Sequence, residues 1–597
     1  MLGTLVCHLT CRQAPPYPTP GTPANNPSSD TGANDVANSW ATSVASRSVT
    51  YIQAMVLGSI MEFAGSVGVG ARVADTIRTK VVDTTLFVDD PALLMLGMVC
   101  AVVASSIYLT MATRIGMPVS TTHSIMGGVI GMGVASVGAK NVTWWGGGIN
   151  DGVVSVFLAW IIAPGISGAF ATIIFLFTKY AVLLRRNPVY KAFVLVPIYF
   201  GITAALLCML LLWKGGSYKV TLTDPQVAGT IVGVGAAWAL LITIFLMPWL
   251  YRVVILDDWQ LRFWHIPLGP LLLLRGEVPP PPADGSGVVK DYYAGRLTKE
   301  QLAARRAAQN GDSEMAAGAA ASSTDGEKVQ PEGTTITKDS SSSHDQNEPA
   351  QPAEPPVKTI VGPRPDGPWH SGPVLFWYVK WALFRGVDQD VISSQNSEKS
   401  LISSDVEEMH AHAAHYDNRT EYMYSFLQIM TAATASFTHG ANDIANAIGP
   451  YATVYQIWKD GALPGGNGKG KADVPVWILV MGACCLVIGL WTYGYNIMRN
   501  LGNKMTLQSP SRGFSMELGS AVTIILATRL KLPVSTTQCI TGATVGVGLC
   551  SGTWRTINWR LVAWIYMGWI ITLPIAGIIS GCLMGIIINA PRWGYGG

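Results

Sequence analysis

Charged residues are scarce in this chain of 597 residues. Only 13% are Asp, Glu, Lys or Arg, about half the ~25% typical of a soluble globular protein. Hydrophobic residues make up 49% of the chain, and the mean hydropathy is +0.32. The net charge of +3 is small, and the basic residues are scattered between apolar segments. These features exclude an extended basic face for nucleic acid and predict a chain whose solvent is mostly lipid.

Cysteine and leader patterns are also lacking. The nine cysteines show no disulfide or zinc spacing, and most lie within apolar stretches, where a thiol behaves as a small hydrophobic group. The segment Met1–Cys11 is apolar but short, contains no Lys or Arg, and runs into a proline-rich stretch. It is therefore a poor signal peptide. We find neither a nucleophile–base pair nor a protease-type metal cluster, so we do not expect an enzyme.

Long apolar runs are plentiful, and a run of about 20 residues can span a bilayer as a helix. The predicted spans are 51–71, 92–115, 153–178, 192–213, 227–251, 422–438, 475–495, 514–530 and 560–588. Two Gly-rich apolar stretches, Ile125–Gly138 and Ile540–Cys550, are too short to cross alone. We predict that they form half-helices of re-entrant hairpins, which survive in a membrane where they line a polar cavity.

The composition changes between residues 252 and 421. This segment contains the proline run Pro279–Pro282 and the serine run Ser340–Ser343. It is predicted to be a hydrophilic, mostly disordered loop, with a short amphipathic helix over 297–308. Arg185 and Arg252 flank ends of spans that lie on the same side, so the positive-inside rule indicates a cytoplasmic loop.

One rare peptide occurs twice. Gly-Ala-Asn-Asp-Val-Ala-Asn occupies 32–38, and Gly-Ala-Asn-Asp-Ile-Ala-Asn occupies 440–446. Each copy is followed by Pro-Val-Ser-Thr-Thr, with 85 positions from Asp35 to Ser120 and 92 from Asp443 to Ser535. The chain therefore contains two halves of one duplicated unit. The predicted division is an atypical N-terminal segment 1–31, a first repeat with adjoining spans 32–251, the loop 252–421 and a second repeat 422–597.

The Pro-Val-Ser-Thr-Thr peptides suit an oxyanion. Proline ends one helix, and the next half-helix begins with free backbone N–H groups, hydroxyls and the positive end of its dipole. The alternative is that Ser and Thr simply cap a helix, but two copies in register with two Asn-Asp motifs favour a solute site at the repeat interface. The candidate ligands for an oxyanion such as phosphate are Ser120, Thr121, Thr122, Ser535, Thr536 and Thr537.

The paired Asp and Asn residues of the duplicated peptide suit a cation. Asp35 with Asn38, and Asp443 with Asn446, are three positions apart and share one helix face. Their carboxylates and amide carbonyls, with backbone carbonyls freed nearby, are ligands for a small hard cation. The alternative is an N-cap Asp. A cation beside an anion offsets part of the desolvation cost of both, which is the physical basis of symport.

Three further residues are candidates for coupling. Glu62 and Glu517 lie inside predicted spans, where a carboxylate is a functional candidate by default. Each could be a cation ligand, a proton acceptor or a hydrogen-bond partner within the bundle. His439 precedes the second Gly-Ala-Asn-Asp. A histidine in this position is a structural hydrogen-bond donor or a transport residue.

These peptides resemble the inorganic phosphate transporter (PiT) family, and most of all its fungal-type sodium–phosphate symporters. The resemblance rests on both Pro-Val-Ser-Thr-Thr repeats and on the peptides Gly32–Asn38, Ser436–Asp443 and Ser509–Glu517. It covers nearly the whole chain except the central loop and the first 31 residues. It implies an all-α, polytopic inverted-repeat transporter with re-entrant helical hairpins and about twelve spans.

The resemblance also implies the function. Phosphate is expected between the two Ser-Thr-Thr hairpins, and sodium near the two Asp–Asn pairs. Glu62, His439 and Glu517 are expected to matter for transport. We therefore expect sodium-driven import of phosphate by alternating access in a membrane, taken to be the plasma membrane. The expected partners are phosphate, sodium and lipid, with homodimerisation open and no cofactor besides transported sodium.

Other functions stay open at this point. Proton coupling and sulfate as the solute fit the same residues. A non-transporting phosphate sensor is a further alternative, because in the family an apolar helix leads into the first Gly-Ala-Asn-Asp. Here Pro15–Asp30 occupies that place, and it cannot span.

Overall fold

A computed structural model describes ten ranges of the chain. These are 34–35, 37–70, 82–146, 152–214, 222–280, 288–308, 361–384, 406–465, 474–529 and 534–590. Within them the chain is helical, and the only β pairing is an isolated bridge between Val82 and Val142. The predicted N-terminal segment 1–31 and Pro533 lie outside the described residues.

The first half and the loop contain these α-helices: α1 Ala37–Ala45, α2 Tyr51–Val69, α3 Pro91–Arg114, α4 Thr121–Val137, α5 Val153–Thr178, α6 Pro188–Lys214, α7 Asp224–Leu250, α8 299–308, α9 Gly372–Phe384 and α10 Val406–Ala411. The second half contains α11 Asn418–Asp460, α12 Val476–Asn500, α13 Pro510–Arg529, α14 Thr536–Ser551 and α15 Trp559–Asn589. A π-helical turn continues α5 through Lys179–Leu183, and another continues α7 through Tyr251–Ile255.

Seven helices in the described part of the chain are long and apolar enough to cross a membrane. They begin at Tyr51, Pro91, Val153, Pro188, Asp224, Val476 and Trp559. The predicted span 422–438 is helical as well, inside α11. Residues 514–529 of the predicted span 514–530 are helical inside α13, and residue 530 lies outside the described residues. The mean hydropathy of α11 and α13 is lower because both helices contain many polar residues. Most of these polar side chains are buried inside the protein. The boundaries of the apolar spans agree with the sequence prediction to within a few residues.

The two Ser-Thr-Thr peptides begin a matching pair of short helices. Helix α4 begins directly after Ser120 and packs between α3 and α15. Helix α14 begins directly after Ser535 and packs between α13 and α5. Helix α4 therefore packs against α15, the long helix that follows α14 in the sequence. In the same way α14 packs against α5, the long helix that follows α4. This exchange joins the two halves of the chain.

Glycine allows this close packing at matching positions. A Cβ added to Gly127 or Gly131 would overlap backbone of α15, at Leu573 or Gly577. One at Gly542 would in the same way overlap the Pro164 carbonyl of α5. Small residues four positions apart permit such backbone-to-backbone contact between membrane helices.

The two Asn-Asp motifs differ in local structure. Asn34 and Asp35 are in a π-helical turn ahead of α1. The second motif lies inside the continuous helix α11, so the expectation that a helix break frees its backbone carbonyls is wrong for this copy. One carbonyl is still released, because Pro450 has no N–H to donate to the C=O of Asn446.

The loop between residues 252 and 421 is more structured than predicted in its described parts. It contains α8, α9, α10 and a 3₁₀ segment, Phe263–Leu274. Helix α8 confirms a short helix near the predicted 297–308. Buried apolar side chains such as Tyr292 and Leu302 explain why these parts are ordered despite the polar composition around them.

Candidate functional site

Capping fixes the start of each short helix at the serine of Ser-Thr-Thr. Ser120 is the N-cap of α4, and its hydroxyl accepts a hydrogen bond from the His123 N–H at 3.2 Å. Ser535 is the N-cap of α14, and its side chain makes no capping bond. The alternative prediction that these serines cap a helix is therefore confirmed for Ser120. The first turns of both short helices face the Asp and Asn residues described next.

Asp35 is the point where the two halves meet. The Thr121 hydroxyl of α4 donates to its Oδ2 at 2.6 Å, and the Thr537 hydroxyl of α14 donates to its Oδ1 at 2.5 Å. Thr537 in turn accepts from Asn38 Nδ2 at 2.9 Å. One buried carboxylate thus bridges the tips of both short helices.

Asp443 and Asn446 make the corresponding contacts from the second half. The Thr536 hydroxyl donates to Asp443 Oδ2 at 3.0 Å. Asn446 Nδ2 contacts the hydroxyls of Thr121 and Thr122 at 3.1 and 3.0 Å. The structure therefore brings the Ser-Thr-Thr peptides and the Asp–Asn pairs together into one buried cluster, with the hydroxyls of Thr121, Thr537 and Thr536 turned towards carboxylates.

A chain of buried polar groups extends from this cluster to Glu62. His439 Nδ1 lies 3.0 and 2.9 Å from the two carboxylate oxygens of Glu62. His439 Nε2 lies 2.8 Å from Asp443 Oδ2. Glu62, His439 and Asp443 are each about 99% buried, so His439 connects a carboxylate of the first half with one of the second.

Glu517 occupies a separate polar nest. Its Oε1 accepts hydrogen bonds from Thr42 at 2.6 Å, Ser43 at 2.8 Å and Gln428 at 3.2 Å, and its Oε2 accepts from Thr431 at 2.6 Å. Two donors come from α1 and two from α11. Glu517 itself is on α13 and is fully buried, so it ties three helices together.

A small cavity separates Glu517 from the central cluster. Its volume is about 20 Å³, enough for one or two waters. Its polar lining is Asp35, Asn38, Ser39, Glu517, Ser520 and Thr536. Asn38 Oδ1 is buried there without a hydrogen-bond partner among the described residues. An unsatisfied carbonyl oxygen is an available ligand for a cation or a water.

Several residues in and around the cluster were missed by sequence reasoning. Asn34 accepts from the Val119 N–H and donates to the Met117 carbonyl, so it holds the turn ahead of α4. The position of Asn34 in the repeated Gly-Ala-Asn-Asp peptide is a sequence signal that could have identified it as a site residue. The donors around Glu517 carried a weaker signal, which was a run of polar residues in otherwise apolar helices; they are Thr42, Ser43, Gln428 and Thr431.

A model of the phosphate transporter family matches residues 31–580. The phosphate-repressible phosphate permease pho-4 of Neurospora crassa is 86% identical over 574 residues, which cover 95% of this chain and 96% of the permease. Sodium-dependent phosphate transporter 2 of Xenopus laevis is 28% identical, over 92% of this chain and 94% of that protein.

A solved structure has the same fold. The chain in a structure described as the sodium-dependent phosphate transporter aligns with a TM-score of 0.59 at 22% sequence identity. The alignment covers 95% of this chain and 97% of that one. The predicted all-helical, polytopic transporter fold is thereby confirmed.

Proposed function

The chain belongs to the phosphate transporter family, and on that premise we propose that it imports inorganic phosphate together with sodium by alternating access. It is a multi-pass membrane protein and a phosphate transporter of this family. The observation that carries the finer proposal is the bridge at Asp35. One carboxylate takes a hydroxyl from each of the two short helices, so a solute bound there contacts both halves at once.

Phosphate is assigned to the tips of α4 and α14. Backbone N–H groups and hydroxyls at a helix N-terminus bind a tetrahedral oxyanion without a buried basic side chain. The hydroxyls of Thr121, Thr536 and Thr537 donate to Asp35 and Asp443. Each can rotate about its Cβ–Oγ bond to donate to a phosphate oxygen. Ser120, Ser535 and Thr122 complete the proposed phosphate site.

Sodium is assigned to the carboxylates that the hydroxyls would release. Asp35 and Asn38 provide oxygens from the first half, and Asp443 and Asn446 from the second. The partnerless Asn38 Oδ1 and the Asn446 carbonyl released by Pro450 are additional hard ligands. Sodium there would offset the repulsion between phosphate and two carboxylates, so each ion favours entry of the other.

Alternating access would use the exchanged packing of the two halves. Because α4 packs on α15 and α14 packs on α5, a shift of either half moves both tips relative to the Asp–Asn pairs. Glu62, His439 and Glu517 connect elements of both halves, and we assign them the coupling of such movements to ion binding. The proposal includes no covalent chemistry and no cofactor besides transported sodium. We assign the protein to the plasma membrane.

Reconstituted uptake tests this proposal. The full chain is placed in proteoliposomes, and uptake of labelled phosphate is measured with an inward sodium gradient or with potassium in its place, at several pH values. We expect uptake that requires sodium and that excess unlabelled sulfate does not reduce. If uptake is equally fast without sodium and depends on a pH gradient, the transporter is coupled to protons and not to sodium.

Two other outcomes would change the solute or the activity. Strong competition by sulfate would assign a sulfate permease. Binding of phosphate by the purified chain without any flux would assign the sensor function. Homodimerisation stays a prediction. The mass of the purified chain in lipid nanodiscs would show whether it contains one copy or two.

A further inference from the structure

The centre of the molecule holds three groups of the kinds that bind transition metals. Asp35, His439 and Asp443 each offer a ligand atom, and these atoms all lie within 4.8 Å of one another. All three side chains are at least 99% buried. Ligand atoms ~2.0–2.1 Å from a shared tetrahedral ion are ~3.3–3.4 Å apart, so closing on an ion takes side-chain movements of up to roughly 1.5 Å.

The orientation of His439 is the observation that points to a cation. Its Nδ1 faces the Glu62 carboxylate, which favours a proton on that nitrogen. Nε2, on the other side of the ring, lies 2.8 Å from Asp443 Oδ2. Its geometry satisfies no hydrogen bond in the described part of the chain. A buried ring nitrogen and a carboxylate oxygen this close need a positive charge at their contact, which a second proton on the ring or a bound cation supplies.

A carboxylate behind a histidine is the usual arrangement at metal centres. A metal-bound histidine generally gives its other ring N–H to a carboxylate or carbonyl, which fixes the tautomer and the ring plane. Glu62 holds that position for His439. Each aspartate also accepts a hydrogen bond from a threonine hydroxyl, Asp35 Oδ2 from Thr121 and Asp443 Oδ2 from Thr536.

The chemistry of this ligand set differs from that of a sodium site. Sodium prefers oxygen ligands, whereas imidazole nitrogen suits first-row divalent cations such as Zn²⁺, Co²⁺ and Mn²⁺. Two carboxylates also balance a charge of +2. We propose that Asp35, His439 and Asp443 bind a divalent transition-metal cation, which displaces sodium from the two carboxylates and stops transport. The displacement of sodium and the arrest of transport rest on the proposed function; the binding of the metal does not.

Cobalt absorption tests the binding. Co²⁺ is titrated into the purified full chain in lipid nanodiscs without sodium or phosphate, and the visible d–d bands of the bound ion are recorded. We expect one Co²⁺ per chain, displaced by Zn²⁺. His439→Gln is expected to weaken binding at least a hundredfold, and Glu62→Gln by roughly 10–100-fold through loss of support for the histidine.

His123→Gln is the matched control. His123 is also fully buried in the membrane region and also has an unsatisfied Nε2 among the described residues, but its Nδ1 accepts from Trp160 rather than facing a carboxylate. The second copy of the peptide has Gln538 at this position. Cobalt affinity is expected to stay unchanged in His123→Gln.

The inference fails if the wild-type chain binds no Co²⁺ below millimolar concentrations, or if His439→Gln binds it as tightly as the wild type. Should His439→Gln not fold, Asp443→Asn is measured instead, with the same expected loss. Sodium is then added to the wild type, and the apparent Kd for Co²⁺ should rise with sodium concentration; a constant Kd would overturn the displacement. Metal-free phosphate uptake, measured separately, reports on the proposed function alone.

Discussion

Threonine hydroxyls are the adjustable groups of this site. Thr121 and Thr537 each donate to Asp35, and a hydroxyl can change its acceptor by a rotation about one bond. The N–H groups of a helix N-terminus in contrast are fixed by the backbone, and the Asp35 carboxylate is held by two hydrogen bonds at once. A buried cluster that combines fixed charges with rotatable donors can exchange an internal hydrogen bond for one to a solute without moving a helix.

Thr537→Val tests this role at the most connected hydroxyl. Valine keeps the shape but removes the donor to Asp35 and the acceptor for Asn38. Hydrogen bonds to charged groups contribute ~1.5–3 kcal/mol, so we expect phosphate uptake efficiency to fall roughly tenfold to a hundredfold. Thr523→Val is the control, since that hydroxyl bonds a carbonyl of its own helix, Gly519. Equal loss in both variants would contradict a specific role for Thr537.

Glu517→Gln tests the second polar nest. All four of its neighbours donate to the carboxylate, and a glutamine NH₂ would face donors on one side. We expect a loss of ~1–3 kcal/mol from the free energy of unfolding, seen as a lower Tm of the purified chain, and a loss of uptake. An unchanged Tm would show that these donors reorient freely and that the nest does not stabilise the fold.

At the scale of elements, the exchanged packing of the short helices is the organising contact. Helix α4 lies against α15, and α14 lies against α5. The glycines that permit this approach occupy equivalent places, since Gly127 and Gly542 both come seven positions after the serine of Ser-Thr-Thr. The duplication therefore preserves a backbone contact as well as the site residues.

Gly542→Ala tests this contact. A methyl group there would overlap the carbonyl of Pro164 on α5, and overpacking of this kind costs about 1–3 kcal/mol. We expect a lower Tm and, because the tip of α14 is displaced, slower uptake. Gly165→Ala is the matched control on the facing helix, where an added Cβ meets nothing within 4 Å. If the two variants have the same Tm, the close approach of α14 and α5 does not contribute to stability.

At the scale of the whole molecule, the proposed solute site is formed by both halves together. Asp35 and Thr121 come from the first half, and Asp443 and Thr537 from the second. A solute bound between them therefore adds contacts that hold the halves together. For the same reason we expect sodium and phosphate to bind cooperatively, because each cancels charge that the other would face alone.

Ligand-dependent unfolding measures this cooperativity. A ligand at a hundred times its Kd stabilises the folded chain by about 2.7 kcal/mol. We expect sodium and phosphate together to raise the Tm of the purified chain by more than the sum of the two separate increases. Potassium with phosphate is the control and is expected to give no such excess. Strictly additive increases would mean that the two ions bind independently.

The agreement between sequence and structure depends on the kind of feature. The apolar spans and the start of α4 and α14 were predictable, because hydropathy and the caps Ser120 and Ser535 are local properties. The continuous helix through the second motif was not predictable, because Asp443 and Asn446 have low helix propensity. Helix α11 stays helical there because this segment is buried against neighbouring helices, among them α2. The structured parts of the central loop were hidden for a similar reason, because their few apolar residues gain partners only by folding back.

The sequence by itself determined the membrane class, the duplication and the residues that form the central cluster, because composition, repeats and helix caps are written in neighbouring positions along the chain. Only the tertiary structure decided which hydroxyl meets which carboxylate, that His439 lies between Glu62 and Asp443, and that Glu517 has its own set of donors. Those contacts join residues hundreds of positions apart, and their distances follow from how the helices of the two halves pack together rather than from any local pattern.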